Sequence, residues 1–179
     1  MGENGKSVLR LSTESLLSDC LNRTLKFPES VMIWGCMTSK GLGSLHFIEG
    51  TMNSTKYNEI LRESLIPSIT QYFDNGDFIF QQDGASCHTS KFTKTWMMKN
   101  NMSFWTWPSG SPDLSPIENV WAIMKKELRK KRPKNKIDLK NKILAIWNSF
   151  PIDKCQDLYN SMNRRMEDVI KAKGDVTRF

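Results

Sequence analysis

Between residues 31 and 48 the apolar positions come in two short, dense runs instead of at helical spacing. Val31-Met-Ile-Trp-Gly-Cys-Met37 and Ser44-Leu-His-Phe-Ile48 have β character, and Lys40-Gly-Leu-Gly43 between them carries the glycines of a turn. The stretch predicts a β-hairpin. Gly50 to Asn53 breaks the pattern and offers Asn53 or Ser54 as the N-cap of a helix from about Thr55 to Phe73. Within it Tyr57, Ile60, Leu61, Leu65 and Ile69 recur at helical spacing, and Pro67 predicts a kink. After the turn Asp74-Asn-Gly-Asp77, Phe78 to Gln82 reads as a short buried strand. Thr89 or Ser90 caps a helix to about Lys99, and Met102 to Trp107 reads as another strand.

Pro108 to Pro116 is a proline-rich loop that leads into a helix with Ser115 as N-cap and Pro116 at the first helical position. Glu118 then stands at the third helical position and completes the pattern of a capping box. This helix runs to about Arg132 and stops at Pro133; helices from about Ile137 to Phe150 and from Ile152 to Lys173 follow, the last ending at Gly174. Residues 1–30 lack clear periodicity and read as an irregular connection, with Val8-Leu-Arg-Leu11 as its one strand candidate. Residues 31–174 read as one domain and 175–179 as a tail. The order strand, strand, helix, strand, helix, strand and then three helices predicts an α/β layered sheet with a helical C-terminal side.

The chain has 179 residues, 39% of them apolar, which is a globular composition with room for one real core. No apolar run reaches the roughly 18–20 residues of a membrane span, so no membrane partner is expected. The four cysteines, Cys20, Cys36, Cys87 and Cys155, fit no zinc-site spacing and read as reduced. Charge changes the picture more. Of the formal net charge of +7, the whole excess lies in Lys125, Lys126, Arg129, Lys130, Lys131, Arg132, Lys134 and Lys136, offset by Glu127 alone. A concentrated basic stripe suits a polyanion such as DNA; a solvated helix end, where Lys and Arg also collect, is the alternative.

Two carboxylates stand out against that background. Asp83 ends the strand Phe78-Ile-Phe-Gln-Gln82, at the edge where α/β sheets collect ligands. Glu118 lies in the first turn of a downstream helix, with 34 residues between the two. Carboxylates on such elements can converge on divalent metal, a recurring way to cut phosphodiester bonds. Each also has an ordinary structural role open to it, as a turn-forming Asp-Gly or as the capping-box glutamate. His88, five residues after Asp83, could position a phosphate, a water or a carboxylate, or could simply bond backbone at a helix start. The tryptophans at 105, 107, 121 and 147 are expected in the core.

Gln81-Gln-Asp-Gly-Ala-Ser-Cys-His88 and Trp107-Pro-Ser-Gly-Ser-Pro-Asp-Leu-Ser-Pro-Ile-Glu-Asn-Val-Trp121 resemble the catalytic signatures of the Tc-one/mariner family of DNA transposases, and Val31 to Cys36 resembles the hairpin that precedes them. The gap of 34 residues is that of the Tc-one branch. The resemblance implies a ribonuclease H-like mixed sheet with flanking helices over residues 31–174, and cut-and-paste transposition in the nucleus. It implies two Mg²⁺ or Mn²⁺ ions held by three carboxylates, of which Asp83 matches the second and Glu118 the third. The first belongs to a Ser-Asp-Glu-like segment on the first central strand, expected ahead of Met1; Asp19 is a poor substitute, because it falls in the connection to the hairpin. The strands at Val31–Met37 and Phe78–Gln82 are therefore expected to lack a partner on one edge. Two functional readings stay open: a transposase catalytic domain that is inactive as this chain, and a DNA-binding or assembly module that pairs with intact transposase.

Overall fold

The structure is a computed structural model that describes residues 30–73, 77–106, 111–175 and 177. Val8–Leu11, Asp19 and Trp107 lie outside the described residues. The hairpin forms as expected. β1 (Met32–Thr38) pairs antiparallel with β2 (Gly41–Ile48), in register from Met32 opposite Ile48 to Gly35 opposite Leu45. A bulge then resets the register to Met37 opposite Leu42, placing both Gly43 and Ser44 across from Cys36. A glycine is required at the bulge, since a Cβ on Gly43 would stand 2.5 Å from Cys36 Sγ and 2.6 Å from Ser68 Oγ.

The hairpin lies between two cores. One face turns Trp34 and Cys36 toward α1 (Ser54–Ile60), a π-helical turn (Leu61–Leu65) and α2 (Ile66–Tyr72). Asn53 caps this run by accepting from the Lys56 amide at 2.9 Å. Pro67 sits at the start of α2 and the ladder widens to π geometry just before it, so the expected kink takes the form of a π segment. The other face turns Ile33, Met37, Leu45 and Phe47 toward α5 (Pro116–Lys131) and α6 (Lys136–Asn148), whose Trp121 and Trp147 stack at 5.3 Å.

β3 (Phe80–Gln82) pairs in parallel with β4 (Phe104–Thr106) and joins the first core through Phe80 and Phe104. Both strands are shorter than expected. Trp105 corrects the sequence reading: it is 57% exposed, because alternation along β4 sends Phe104 inward and Trp105 to the opposite face. Between β3 and β4 run α3 (Ser86–Thr89), one turn that the periodicity did not reveal, and α4 (Lys91–Lys99), capped by Ser90 onto the Thr93 amide. The strands form two separate two-stranded sheets, and among the described residues nothing pairs with the second edge of β1 or of β3.

The final helix expected from Ile152 to Lys173 is two helices, α7 (Ile152–Asn160) and α8 (Met162–Lys171). The break falls at Ser161, whose hydroxyl donates to the Leu158 carbonyl and accepts from Arg165 Nε, competing with the regular ladder. Gly174 ends α8 at φ +87°, in the left-handed conformation expected of it.

Candidate active site

Asp83 leaves the C-terminal end of β3 with its side chain 68% exposed. One carboxylate oxygen, Oδ1, carries its whole set of contacts. It accepts from the Ala85 amide at 3.0 Å, which makes an Asx turn, and from His88 Nδ1 at 2.6 Å. The turn-forming role is thus present, and it engages Oδ1 while Oδ2 carries no contact among the described residues.

His88 is held for this contact from three sides. Its place in α3 fixes its backbone, and its carbonyl accepts from Gln82 Nε2 at 3.1 Å. Its ring lies 4.1 Å from that of Tyr57, centroid to centroid. Tyr57 is buried, and its hydroxyl donates to Gln82 Oε1 at 2.8 Å. Burial pushes the Tyr57 phenol well above its ordinary range, so it stays a neutral donor. With the proton on Nδ1, His88 donates to the Asp83 carboxylate, so the contact its ring makes is to that carboxylate and not to backbone. Gln82 and Tyr57 escaped sequence reasoning. Gln82 is a polar residue at the inward position of an apolar strand, and that was the available signal.

Glu118 lies exposed in the first turn of α5. The expected capping box with Ser115 does not form. Ser115 makes no side-chain cap; the Glu118 amide is satisfied instead by the Ser115 main-chain carbonyl at 3.0 Å, after the 3-10 turn Pro112–Leu114 has delivered Ser115 in an extended conformation. Capping thus leaves the Glu118 carboxylate unused. Gln81 Nε2 donates to the Leu114 carbonyl, which ties β3 two residues before Asp83 to the chain four residues before Glu118. Both carboxylates emerge just past this tie. No hydrogen bond or ion pair joins Glu118 to Asp83 or His88, and among the described residues no group of three or more His, Cys, Asp or Glu gathers as a metal cluster.

Behind Glu118 stands a network that the sequence reading missed. Arg165 of α8, only 2% exposed, donates from Nη1 to the Asp113 carbonyl and from Nη2 to Asn119 Oδ1, each at 2.8 Å. Asp113 is also buried, and its carboxylate accepts the amide and hydroxyl of Thr177 at 2.8 Å each, bonds that hold its pKa below the usual carboxylate range. The available signal was an arginine in line with Leu158, Met162 and Val169 on the apolar face of the last helices.

All eight residues of the basic stripe, Lys125, Lys126, Arg129, Lys130, Lys131, Arg132, Lys134 and Lys136, are exposed. Lys130 is paired to Glu127 at 2.6 Å. Lys125 and Arg129 follow Glu118 at i+7 and i+11, so the three share one face of α5. The stripe begins about 10 Å along the helix axis from Glu118, at 1.5 Å per residue.

A model of the DDE superfamily endonucleases matches residues 19–140, a span that contains both carboxylates. The chain belongs to this DDE family. Within it the curated relatives are transposases. The Tc1 transposase of Caenorhabditis elegans is 35% identical over 150 residues, 84% of this chain and 55% of that protein. The Tcb1 transposase of Caenorhabditis briggsae is 36% identical over the same shares. This DDE chain spans about half the length of these relatives. Among solved structures, the Mos1 transposase catalytic domain with Raltegravir and Mg superposes with a TM-score of 0.75 at 17% identity, covering 83% of this chain and 77% of that one. A pre-cleavage Mos1 transpososome reaches 0.80 at 16% identity, over 98% of this chain and 53% of that one. The chain thus has the mixed α/β, ribonuclease H-like fold of the Mos1 catalytic domain, as its signatures implied.

Proposed function

We propose that this chain supplies the catalytic part of a cut-and-paste DNA transposase of the nucleus, with Asp83 and Glu118 as ligands for Mg²⁺ or Mn²⁺ and the basic stripe on α5 as a DNA backbone contact. One observation carries the reading. Asp83 follows one end and Glu118 the other end of the Gln81–Leu114 tie, each with oxygen left uncommitted, and neither is paired with Lys or Arg among the described residues.

The donor set fits the ions. Mg²⁺ and Mn²⁺ take hard oxygen ligands, and carboxylates are the protein's usual supply. His88 Nδ1 and the Ala85 amide both engage Asp83 Oδ1, so Oδ2 is left without a partner among the described residues. When bound, such ions activate a water or a DNA 3′-hydroxyl and stabilise the leaving oxygen. Lys125 and Arg129, on the Glu118 face of α5, hold successive phosphates of a strand that leads to the carboxylates. The Tc1 relative and the Mos1 structures with Mg, with Mn and in paired-end complexes support this reading by their family and fold.

The test is Mn²⁺ affinity of the whole chain, followed by electron paramagnetic resonance. Asp83→Asn and Glu118→Gln should each weaken binding by at least about tenfold, the lower end seen even for groups that stand behind metal ligands. Unchanged Mn²⁺ affinity in both variants, with DNA binding intact, would make the chain a DNA-binding or assembly module instead.

A further inference from the structure

We infer that Arg165 is a positioning residue for Glu118, acting from the last helix through the two ends of the segment that carries it. The inference rests on the reading of Glu118 as a metal ligand and adds how that ligand is held.

Three features point to it. The first turn of α5 has no side-chain cap, and the Glu118 side chain is exposed, so neither capping nor packing fixes the carboxylate. Arg165 supplies the missing restraint. Nη1 bonds the Asp113 carbonyl, five residues before Glu118, and Nη2 bonds the side chain of Asn119, the residue after it, both at 2.8 Å. The planar guanidinium fixes these two acceptors relative to each other, which a flexible ammonium does not. Its own orientation is set by Nε donating to Ser161 Oγ at 2.8 Å, at the break between α7 and α8.

The second feature is cost. Arg165 occupies an apolar face at 2% exposure, where Leu or Met would pack without desolvating a charge. Burying a cation is a poor way to add stability. A fixed geometry at the residues on either side of Glu118 is what an arginine offers here and an aliphatic side chain cannot.

The third is the second anchor on the same turn. The Asp113 carboxylate is held by the amide and hydroxyl of Thr177, so the loop that Arg165 grips is itself fixed at its other group. The turn before Glu118 is gripped by main chain and side chain at once.

The experiment measures Mn²⁺ affinity of the full chain in a double-mutant cycle. Arg165→Met should weaken Mn²⁺ binding by about tenfold, as expected for a group behind a metal ligand, and should add nothing further in a Glu118→Gln background. Arg165→Lys should fail to rescue, because it cannot span both acceptors. Asn119→Ala, which removes one acceptor from a half-buried site, should give the same coupling with Glu118; it carries the test if Arg165→Met does not fold. Circular dichroism establishes that each scored variant is folded. A folded Arg165→Met or Asn119→Ala chain that binds Mn²⁺ like wild type, or whose loss adds fully to that of Glu118→Gln, would overturn the inference while leaving the metal reading intact. A Glu118→Gln chain that binds Mn²⁺ like wild type removes the metal reading itself, and the inference with it.

Discussion

Gly35→Ala tests whether the seam between the hairpin and α5 is as tight as the structure makes it. Gly35 faces the stacked pair Trp121 and Trp147. A Cβ there would lie 2.5 Å from Trp147 Cη2 and 3.0 Å from Trp121 Cη2. Carbon atoms pack at about 3.5–4.0 Å, so one ring must retreat by about 1 Å. Trp147 is poorly placed to do so, being 4% exposed with its Nε1 donating to the Gly43 carbonyl at 2.8 Å. Overpacking of this kind costs about 1–3 kcal/mol, and a stretched hydrogen bond adds about 0.5–1.5 kcal/mol. Alanine in place of a strand glycine returns about 0.5–1 kcal/mol of backbone entropy. The net expectation is a loss of about 2–3 kcal/mol, or about 4–12 °C in melting temperature for a chain of this size. Urea denaturation measures it, with an unchanged m value indicating a local effect. The double variant Gly35→Ala/Trp147→Leu supplies the decisive comparison, since removing the obstructing ring should make the two losses markedly sub-additive. A single-variant change within 0.5 kcal/mol of zero, or strict additivity, would refute the steric reasoning. Trp121 lies three residues after Glu118 on α5, so the same variant should also weaken Mn²⁺ binding.

Replacing Lys125 and Arg129 by Ala should flatten the dependence of log K for DNA on log salt by about 1.8, at about 0.9 for each phosphate no longer neutralised. The off-face pair Lys126→Ala/Lys130→Ala should change it less, Lys130 being already bonded to Glu127; equal slopes for the two pairs would count against the face assignment. The Asp113 carboxylate is held below its ordinary pKa by the Thr177 bonds, so its stabilisation is full above the unfolded value of about 3.9 and is lost as pH falls through the lower folded value. Wild type should therefore exceed Asp113→Asn in stability at pH 6, and that gap should close in urea titrations taken below about pH 4; a gap independent of pH would show that the charge is not what Thr177 holds.

Elements with a strong local signal were legible in the sequence. The hairpin followed from two dense β runs around a glycine turn, and Asn53 and Ser90 cap their helices as short polar side chains do. The place of Asp83 at the end of an apolar strand was legible for the same reason. What stayed hidden depends on partners distant in sequence. Ser115 and Glu118 have the composition of a capping box, yet the main-chain carbonyl of Ser115, not its side chain, takes the Glu118 amide, a choice that the four residues themselves do not specify. At the break Ser161 bonds Arg165, and Arg165 also reaches groups 46 and 52 residues away. Periodicity sees an almost continuous helix there because a polar side chain satisfied at long range leaves no local mark.

The same contrast bears on how the two carboxylates keep their places. In a continuous sheet, main-chain hydrogen bonds would relate every strand end to every other. Among the described residues the strands form two separate pairs, so no such ladder runs from the hairpin against which α5 packs to β3, which carries Asp83. Besides the packing of the hairpin between the two cores, their relation rests on a few side chains: Gln81 reaching the Leu114 carbonyl, Arg165 spanning Asp113 and Asn119, and Tyr57 with Gln82 holding His88 against Asp83. A single side-chain hydrogen bond is worth about 1 kcal/mol net, so each tie is weak alone. This makes the site more sensitive to polar substitution than the fold is. On the metal reading proposed above, loss of one tie should leave both apolar clusters packed and the chain folded, while loosening the spacing of the two carboxylates that a shared ion would need.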